Sequence, residues 1–346
     1  MVKLSVIVPI YNTPQDLLEH CITSIQQNLE KLEDIEILLI NDGSTEPYIE
    51  PILKGVEDRH FKYIYKEHSG ISATRNIGIE IARGEYITFV DADDYLEANA
   101  LQYMVGQADN TDAEMVIFGY CYNDYIKEVT RRYGLIRADE RIKMYAAHIA
   151  GDKQNGYWKS FAVNVHVPFA KIYRRSVIKG MDLRFSPKLR ISEDCFFNML
   201  YMKGCQKILI DNKLVYHYVT NPKSVTHKIS DVRFTNTPTL IKMMEEFIAK
   251  TPYAVDTELC RYWFTQRVLQ EIRYYRYTYL THPENHKPLR QLISELHESL
   301  SKPAISRWVE KLRLRDADNM MELKNIILLK LHLYWIFLIT ERKKRK

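Results

Sequence analysis

Three aspartates, Asp91, Asp93 and Asp94, follow the apolar run Tyr86-Ile-Thr-Phe-Val90 with no basic residue among them. Carboxylates this close repel one another unless a cation sits between them. Hard oxygen ligands of this kind suit Mg2+ or Mn2+, ions that usually keep waters and share substrate phosphates. The competing reading is a polar loop after a strand, with Asp93 or Asp94 capping a helix that begins near Leu96.

The flanking pattern says what must position these acids. β-branched and aromatic residues make Ile87, Phe89 and Val90 a buried strand, the fourth of a series. Leu4-Ser-Val-Ile-Val-Pro-Ile10 reads as the first, Glu36-Ile-Leu-Leu-Ile40 as the second and Phe61-Lys-Tyr-Ile-Tyr65 as the third. Glu114-Met-Val-Ile-Phe118 follows later. Helices are predicted from Pro14 to about Asn28 with Thr13 as N-cap, near 47–58, over 72–82 and near 99–108. Alternating strand and helix, with continuously apolar strands, means a parallel sheet covered on both faces. Such sheets bind ligands outside the carboxyl ends of their strands. Asn12, Asp42, His68 to Gly70 and Asp91 to Asp94 each fall just after a strand end, so all four clusters belong to one edge. The helix opening at Ser72 presents unpaired N–H groups there and carries Arg75, both suited to phosphate oxygens. Asp42 can accept hydrogen bonds from a nucleobase imide or a ribose hydroxyl, or act as an Asx-turn residue before Gly43. Neither Gly-x-Gly-x-x-Gly nor Gly-x-x-x-x-Gly-Lys-Ser/Thr occurs, which argues against dinucleotide oxidoreductases and P-loop phosphotransferases. The expected ligand is anionic and partnered by a metal.

With 346 residues, 46% hydrophobic and 27% charged, the chain has the makeup of a soluble globular protein with one large domain or two ordinary ones. Five scattered cysteines without a Cys-x-x-Cys argue for a reducing compartment and against a zinc cluster. The first apolar run is too short for a signal peptide. Arg342-Lys-Lys-Arg-Lys346 closes the chain, and without it basic and acidic residues balance at 44 each. The basic character is a property of the tail, not of a nucleic-acid-binding face.

Four blocks then carry a resemblance: Val6-Ile-Val-Pro-Ile-Tyr-Asn12, Asn41-Asp-Gly-Ser44, Gly70-Ile-Ser-Ala-Thr-Arg-Asn76 with Gly78, and Phe89-Val-Asp-Ala-Asp-Asp94. In order and spacing they resemble glycosyltransferase family 2, over roughly residues 1–225. The resemblance implies a GT-A fold, an α/β, Rossmann-like, mostly parallel sheet flanked by helices. It implies a nucleotide-sugar donor, most often UDP-linked, a divalent metal (Mn2+ or Mg2+), and inversion at the anomeric carbon. By position, Pro9, Tyr11 and Asn12 would line the nucleoside pocket, Asp42 would hold uracil or ribose, and Arg75 would lie near the diphosphate. Asp91 and Asp93 would be the metal-binding Asp-x-Asp pair, with Asp93 in direct contact.

Inversion by single displacement needs one general base for the acceptor hydroxyl. Glu193 and Asp194, within Arg190-Ile-Ser-Glu-Asp-Cys-Phe-Phe197, resemble the Glu-Asp block that supplies the family's base, and Asp194 is the preferred one. Read locally, Ser192 followed by two acids is ordinary capping and dipole chemistry. Pro168-Phe-Ala-Lys-Ile-Tyr-Arg-Arg175 resembles another block, in which Lys171 meets phosphate; the other reading is a solvated strand–helix face. Val215-Tyr-His-Tyr218, followed by Ser224-Val225, resembles the segment after the catalytic helix, with His217 at the metal or diphosphate, or else structural. Related segments often carry Arg where Val219 stands here. Trp158 and Phe161 are candidate acceptor-facing aromatics or core residues.

Beyond about Ser230 the strand pattern disappears. Residues 240–250, 257–279, 287–300 and 303–315 read as helices broken at Pro252, Pro283 and Pro303. The chain thus divides into a catalytic domain, 1–228, and an α-helical C-terminal domain, 229–346. Arg273-Tyr-Tyr-Arg-Tyr-Thr-Tyr279 reads as packed bundle or as an interfacial surface. A helix over 326–339 would be about 21 Å long, short of the roughly 30 Å hydrocarbon core, and so would not span it. With Tyr334, Trp335 and the basic tail it fits a helix lying on an anionic cytoplasmic leaflet; a core helix with a basic tail is the alternative. The expectation is a cytoplasmic glycosyltransferase at the inner face of the cell membrane, using a UDP-sugar to extend a glycan or lipid-linked glycan in surface polysaccharide assembly. Two other classes use some of the same residues: a non-catalytic nucleotide-sugar-binding partner subunit and a nucleotidyltransferase.

Overall fold

The computed structural model describes residues 1–29, 32–122, 125–127, 134–136, 140–150, 165–221, 232–255, 257–280, 282, 284–317, 319–333 and 335–336. These fall into two compact units. One is drawn from Met1–Arg141, Ser160–Pro187 and Glu193–Ser224, the other from Ile142–Lys159, Lys188–Ser192 and Val225–Lys346. Trp158, Phe161, Ser224-Val225 and the tail 342–346 lie outside the described residues.

The first unit is built on one sheet. Strands β1 (Leu4–Ile10), β2 (Ile35–Asp42), β3 (Phe61–Lys66) and β4 (Tyr86–Phe89) run parallel in the order β3-β2-β1-β4. β1 and β2 are buried at every position, which is why residues 6–10 and 37–40 read as continuous apolar runs and not as alternating ones. Helices α1 (Gln15–Gln27), α2 (Ile49–Gly55) and α3 (Ile71–Ile81) make the crossovers. Pro14 takes the cap position of α1 and no side chain caps it, so Thr13 is not the N-cap that the sequence suggested. α3 lies so close to β1 that a Cβ on Gly78 would come within 2.5 Å of Ile7 Cγ2. Glycine alone allows that approach, and it seats Arg75 one turn earlier over the strand ends.

The β1–β4 ladder stops at Ile7, whereas β1 pairs with β2 as far as Ile10. Strand order reverses here, at the switch point where open α/β sheets hold ligands. Past it the sheet becomes mixed. Strands β5 (Tyr95–Leu96), β6 (Met115–Tyr122), β7 (Tyr125–Lys127), β8 (Gly134–Ile136), β9 (Lys171–Arg174) and β10 (Ile208–Tyr218) continue it as β4-β9-β6-β10-β5. β9 runs antiparallel to both its neighbours and β5 antiparallel to β10, while β6 and β10 are parallel. The short strands β7 and β8 flank β6 and β10. Its further helices are α4 (Ala100–Thr111), α6 (Arg175–Gly180) and α7 (Glu193–Gly204), while α5 (Arg141–Ala150) falls, past its first residue, in the second unit. Because α4 starts only at Ala100, no helix begins at Leu96, and the capping reading of Asp93 and Asp94 falls away.

The second unit is helical throughout its described elements, with α8 (Val232–Ile248), α9 (Thr257–Tyr274), α10 (Leu289–Ser301), α11 (Pro303–Lys311) and α12 (Met320–Lys330). Two of the tyrosines after α9 are core, not surface: Tyr275 and Tyr279 are buried, each edge-on to Phe234 at 4.9 Å. The single helix expected over 326–339 does not form. α12 stops at Lys330, His332 takes a left-handed φ of 55°, and Leu333 N–H donates to the Leu328 carbonyl at 2.8 Å, a helix-ending arrangement. Ile326, Leu328 and Leu329 are buried. No helix among the described residues is long and apolar enough to cross a membrane.

Candidate active site

Side chains stitch the carboxyl ends of β1, β2 and β3 together. Asn12 sits at φ 48°, a left-handed conformation that asparagine tolerates. Its Oδ1 accepts the Thr45 N–H at 2.8 Å, and its own N–H donates to Ser44 Oγ at 3.1 Å. Tyr11, 48% exposed, stacks on His68 with ring centroids 4.1 Å apart. Pro9 is buried in β1 opposite Ile40.

Asp42 ends β2 and is spoken for. Its carboxylate accepts the N–H groups of Ser69 and Gly70 at 2.9 Å each and the Lys66 ammonium, while His68 Nδ1 lies 3.2 Å from its main-chain carbonyl. Burial opposes its charge, but the Lys66 and backbone donors hold it below the usual carboxylate range. Asp42 thus anchors the loop that opens α3. The Asx turn before Gly43 belongs to its neighbour: Asn41 Oδ1 accepts the Ser44 N–H at 2.9 Å.

The three acids after β4 divide by exposure. Asp94 is buried, its oxygens accepting Tyr216 O–H at 2.6 Å and Val219 N–H at 2.8 Å. Asp91 and Asp93 are half-buried. Asp91 Oδ1 accepts from Arg75 at 2.9 Å, and Asp93 Oδ2 from Asn221 Nδ2 at 3.1 Å. The second oxygen of each takes no side-chain donor among the described residues. Burial and then the Asp91 charge push Asp93 up, and Asp94, facing both neighbours, rises with it. Among the described residues no group of three or more His, Cys, Asp or Glu converges on a metal position. The chemistry that fits is a cation held by one or two carboxylate oxygens, the remainder supplied by water and ligand phosphates, as is usual for Mg2+.

Arg75 turns inward onto two acids. It is buried, with Nη2 on Asp91 at 2.9 Å, Nη1 on Glu193 Oε1 at 3.1 Å, and the guanidinium 5.3 Å from the Phe185 ring centroid. Its Nε–H, also buried, has no acceptor among the described residues. Arg75 therefore joins the acids after β4 to the pair that opens α7. Within that pair Glu193 is buried on Arg75, whereas Asp194 keeps part of its surface open. Asp194 Oδ1 accepts the Cys195 N–H at 2.7 Å. Burial raises both carboxyls, against the lowering effect of Arg75.

Two expected site residues do not join this group. His217 bonds Glu97 at 2.7 Å and stacks on Tyr95 at 4.3 Å; strand alternation points it away from Tyr216, the neighbour that holds Asp94. Tyr216 and Asn221 were the missed contacts, and the period-2 pattern of 215–218 was the available signal for the first. Lys171 lies inside the sheet on β9, fully buried, its Nζ donating to the Val167 carbonyl at 2.6 Å. It meets neither solvent nor phosphate. Burial pulls its ammonium down to about 7 from 10.5, against the charge of Asp194. Across that window the unfolded chain binds the extra proton, so stability rises with pH between those two values. Lys171→Met should flatten that rise. Urea midpoints taken near neutrality and near pH ~9.5 test it, and equal rises in both proteins would remove the assignment.

The model for glycosyl transferase family 2 matches residues 5–181. The uncharacterized glycosyltransferase EpsJ of Bacillus subtilis (strain 168) is 29% identical over 227 residues, 64% of this chain and 62% of that protein. The poly(ribitol-phosphate) beta-glucosyltransferase of Bacillus spizizenii is 36% identical over 221 residues, 63% of this chain and 32% of that protein. The chain thus spans less than two thirds of either relative. In fold it is similar to S. aureus TarS 1–349 in complex with UDP-GlcNAc, with a TM-score of 0.69 at 17% identity over 99% of this chain and 91% of that one. The architecture is GT-A.

Proposed function

The chain belongs to glycosyl transferase family 2, and from that premise we propose that it moves a sugar from a UDP-sugar to a hydroxyl of a glycan or lipid-linked glycan, with inversion at the anomeric carbon. The observation that carries this reading is the line Asp91–Arg75–Glu193. It ties donor-side acids to an acceptor-side pair at one sheet edge. A relative named for glucosylating poly(ribitol phosphate) and a structural neighbour bound to UDP-GlcNAc support the donor and a cell-surface polymer as acceptor.

In this mechanism the acceptor oxygen attacks the anomeric carbon opposite the diphosphate. The bond from that carbon to the β-phosphate oxygen breaks as the new one forms, and Asp194 takes the acceptor's proton. Tyr11 and His68 offer a flat face to the nucleobase, over loops that Asn12 and Asp42 keep in place. Asp91 and Asp93 would hold Mn2+ or Mg2+, which when bound neutralises charge on the departing diphosphate. The setting is the cytoplasmic face of the cell membrane, where each basic residue of 342–346 contributes about 1 kcal/mol toward anionic lipid.

A panel of nucleotide sugars with Mn2+, an acceptor glycan and EDTA controls tests this. One donor should release nucleoside diphosphate, EDTA should stop release, Mn2+ should restore it, and Asp93→Asn should abolish it. Pyrophosphate release from a nucleoside triphosphate would mean a nucleotidyltransferase, and donor binding without turnover a non-catalytic subunit. Full transfer in EDTA would remove the metal.

A further inference from the structure

α12 has two faces of different character. Asn325, Ile326, Leu328 and Leu329 are buried, and the buried Glu322 is paired with Arg273. The opposite face is left to solvent: Met320 is 78% exposed, Ile327 39%, Leu331 59% and, past the turn at His332, Trp335 40%. Met320, Ile327 and Leu331 are spaced seven and four residues apart, which puts them in one row. The exposed charges on the helix are Lys324 and Lys330, and no acid occurs from Leu323 to Thr340. Single exposed apolar residues are ordinary, but a row of them interleaved with lysines is a surface that wants a partner. The chain then runs on through Phe-Leu-Ile-Thr and Glu341 into the basic residues 342–346, so that, past one acid, positive charge follows the apolar row in sequence.

We propose that this face of α12 docks on an anionic lipid bilayer, with Ile327, Leu331 and Trp335 at the boundary of headgroups and acyl chains. Lys324 and Lys330 reach the headgroup phosphates along their own apolar stems, and the indole sits at headgroup level. The proposal rests on the reading of the tail as a bilayer contact but adds a separable claim: the hold is apolar as well as electrostatic. Charge attraction fades with salt, whereas burial of Ile327 and Leu331 does not.

The test uses the full chain sedimented with phosphatidylcholine vesicles, with and without phosphatidylglycerol, at low and high salt. Ile327→Glu with Leu331→Glu changes exposed positions only, and circular dichroism checks the fold. That double variant should bind anionic vesicles at least about tenfold more weakly at both salts. Deletion of 342–346 should weaken binding at low salt alone. Brominated lipid should quench tryptophan emission in the parent and lose that quenching in Trp335→Phe. Undiminished binding of the double variant, with the deletion still salt-sensitive, overturns the proposal and leaves the tail reading intact. Loss in the double variant with no effect of the deletion supports the face and sinks the tail. No binding to anionic vesicles sinks both. A parent that sizes as a dimer, beside a monomeric double variant, gives the face to a second copy of the chain and overturns lipid docking.

Discussion

Asp194→Asn should slow sugar transfer by about 10²–10⁴ while leaving donor affinity close to that of the parent. The amide cannot take a proton, yet its oxygen can still accept the Cys195 N–H that Asp194 Oδ1 holds at 2.7 Å, so the start of α7 keeps its geometry. Asp194 is the candidate base because its surface is part open, while Glu193 is buried against Arg75. Burial raises both carboxyls, so the pair titrates as a unit above the ordinary carboxylate range. The acid limb of kcat/KM should therefore lie above that range, activity falling as the pH drops through it, and the Asn variant should lose that limb. Glu193→Gln should act more on stability than on turnover. Parent-like turnover in Asp194→Asn beside a dead Glu193→Gln would exchange the two roles.

Arg75→Met should cost about 3–5 kcal/mol of stability, because it leaves buried acids without their cation. Methionine matches the stem of arginine, so the loss is of charge pairing more than of volume. Asp91 and Glu193 lose a shared partner, and Glu193, being buried, has no water to replace it. The effect should couple: Arg75→Met should cost less in a Glu193→Gln background, where one of the stranded charges is absent. Urea unfolding of the four proteins measures this, read at the transition that reports the sheet unit, since two units need not unfold together. Strict additivity would mean that Arg75 does not act through Glu193. Under the proposed mechanism turnover should fall as well, since the same guanidinium holds both Asp91 and Glu193.

Much of the site was readable from local pattern, for a physical reason. Parallel strands buried on both faces must be apolar throughout, so β1, β2 and β4 announce themselves, and the polar residues after them fall on one edge by topology. Asn12, Asp42, His68, Arg75 and Asp91 were all found that way. Their partners were not. Nothing local showed that Asp42 also holds Ser69, Gly70 and Lys66. Lys171 looked like a phosphate contact, because a lysine between short apolar residues gives no sign that β9 runs antiparallel through the middle of the sheet.

The chain's own order of residues determined the strand series, the polar edge and the acids that crowd there, since periodicity and turn chemistry act between near neighbours. Only the tertiary structure decided which acid is bound and which is open. Arg75 reaches Glu193 across 118 positions, Tyr216 reaches Asp94 across 122, and Asn221 reaches Asp93 across 128. Contacts at such separations leave no local pattern, because burial and pairing exist only once the sheet has brought distant segments together.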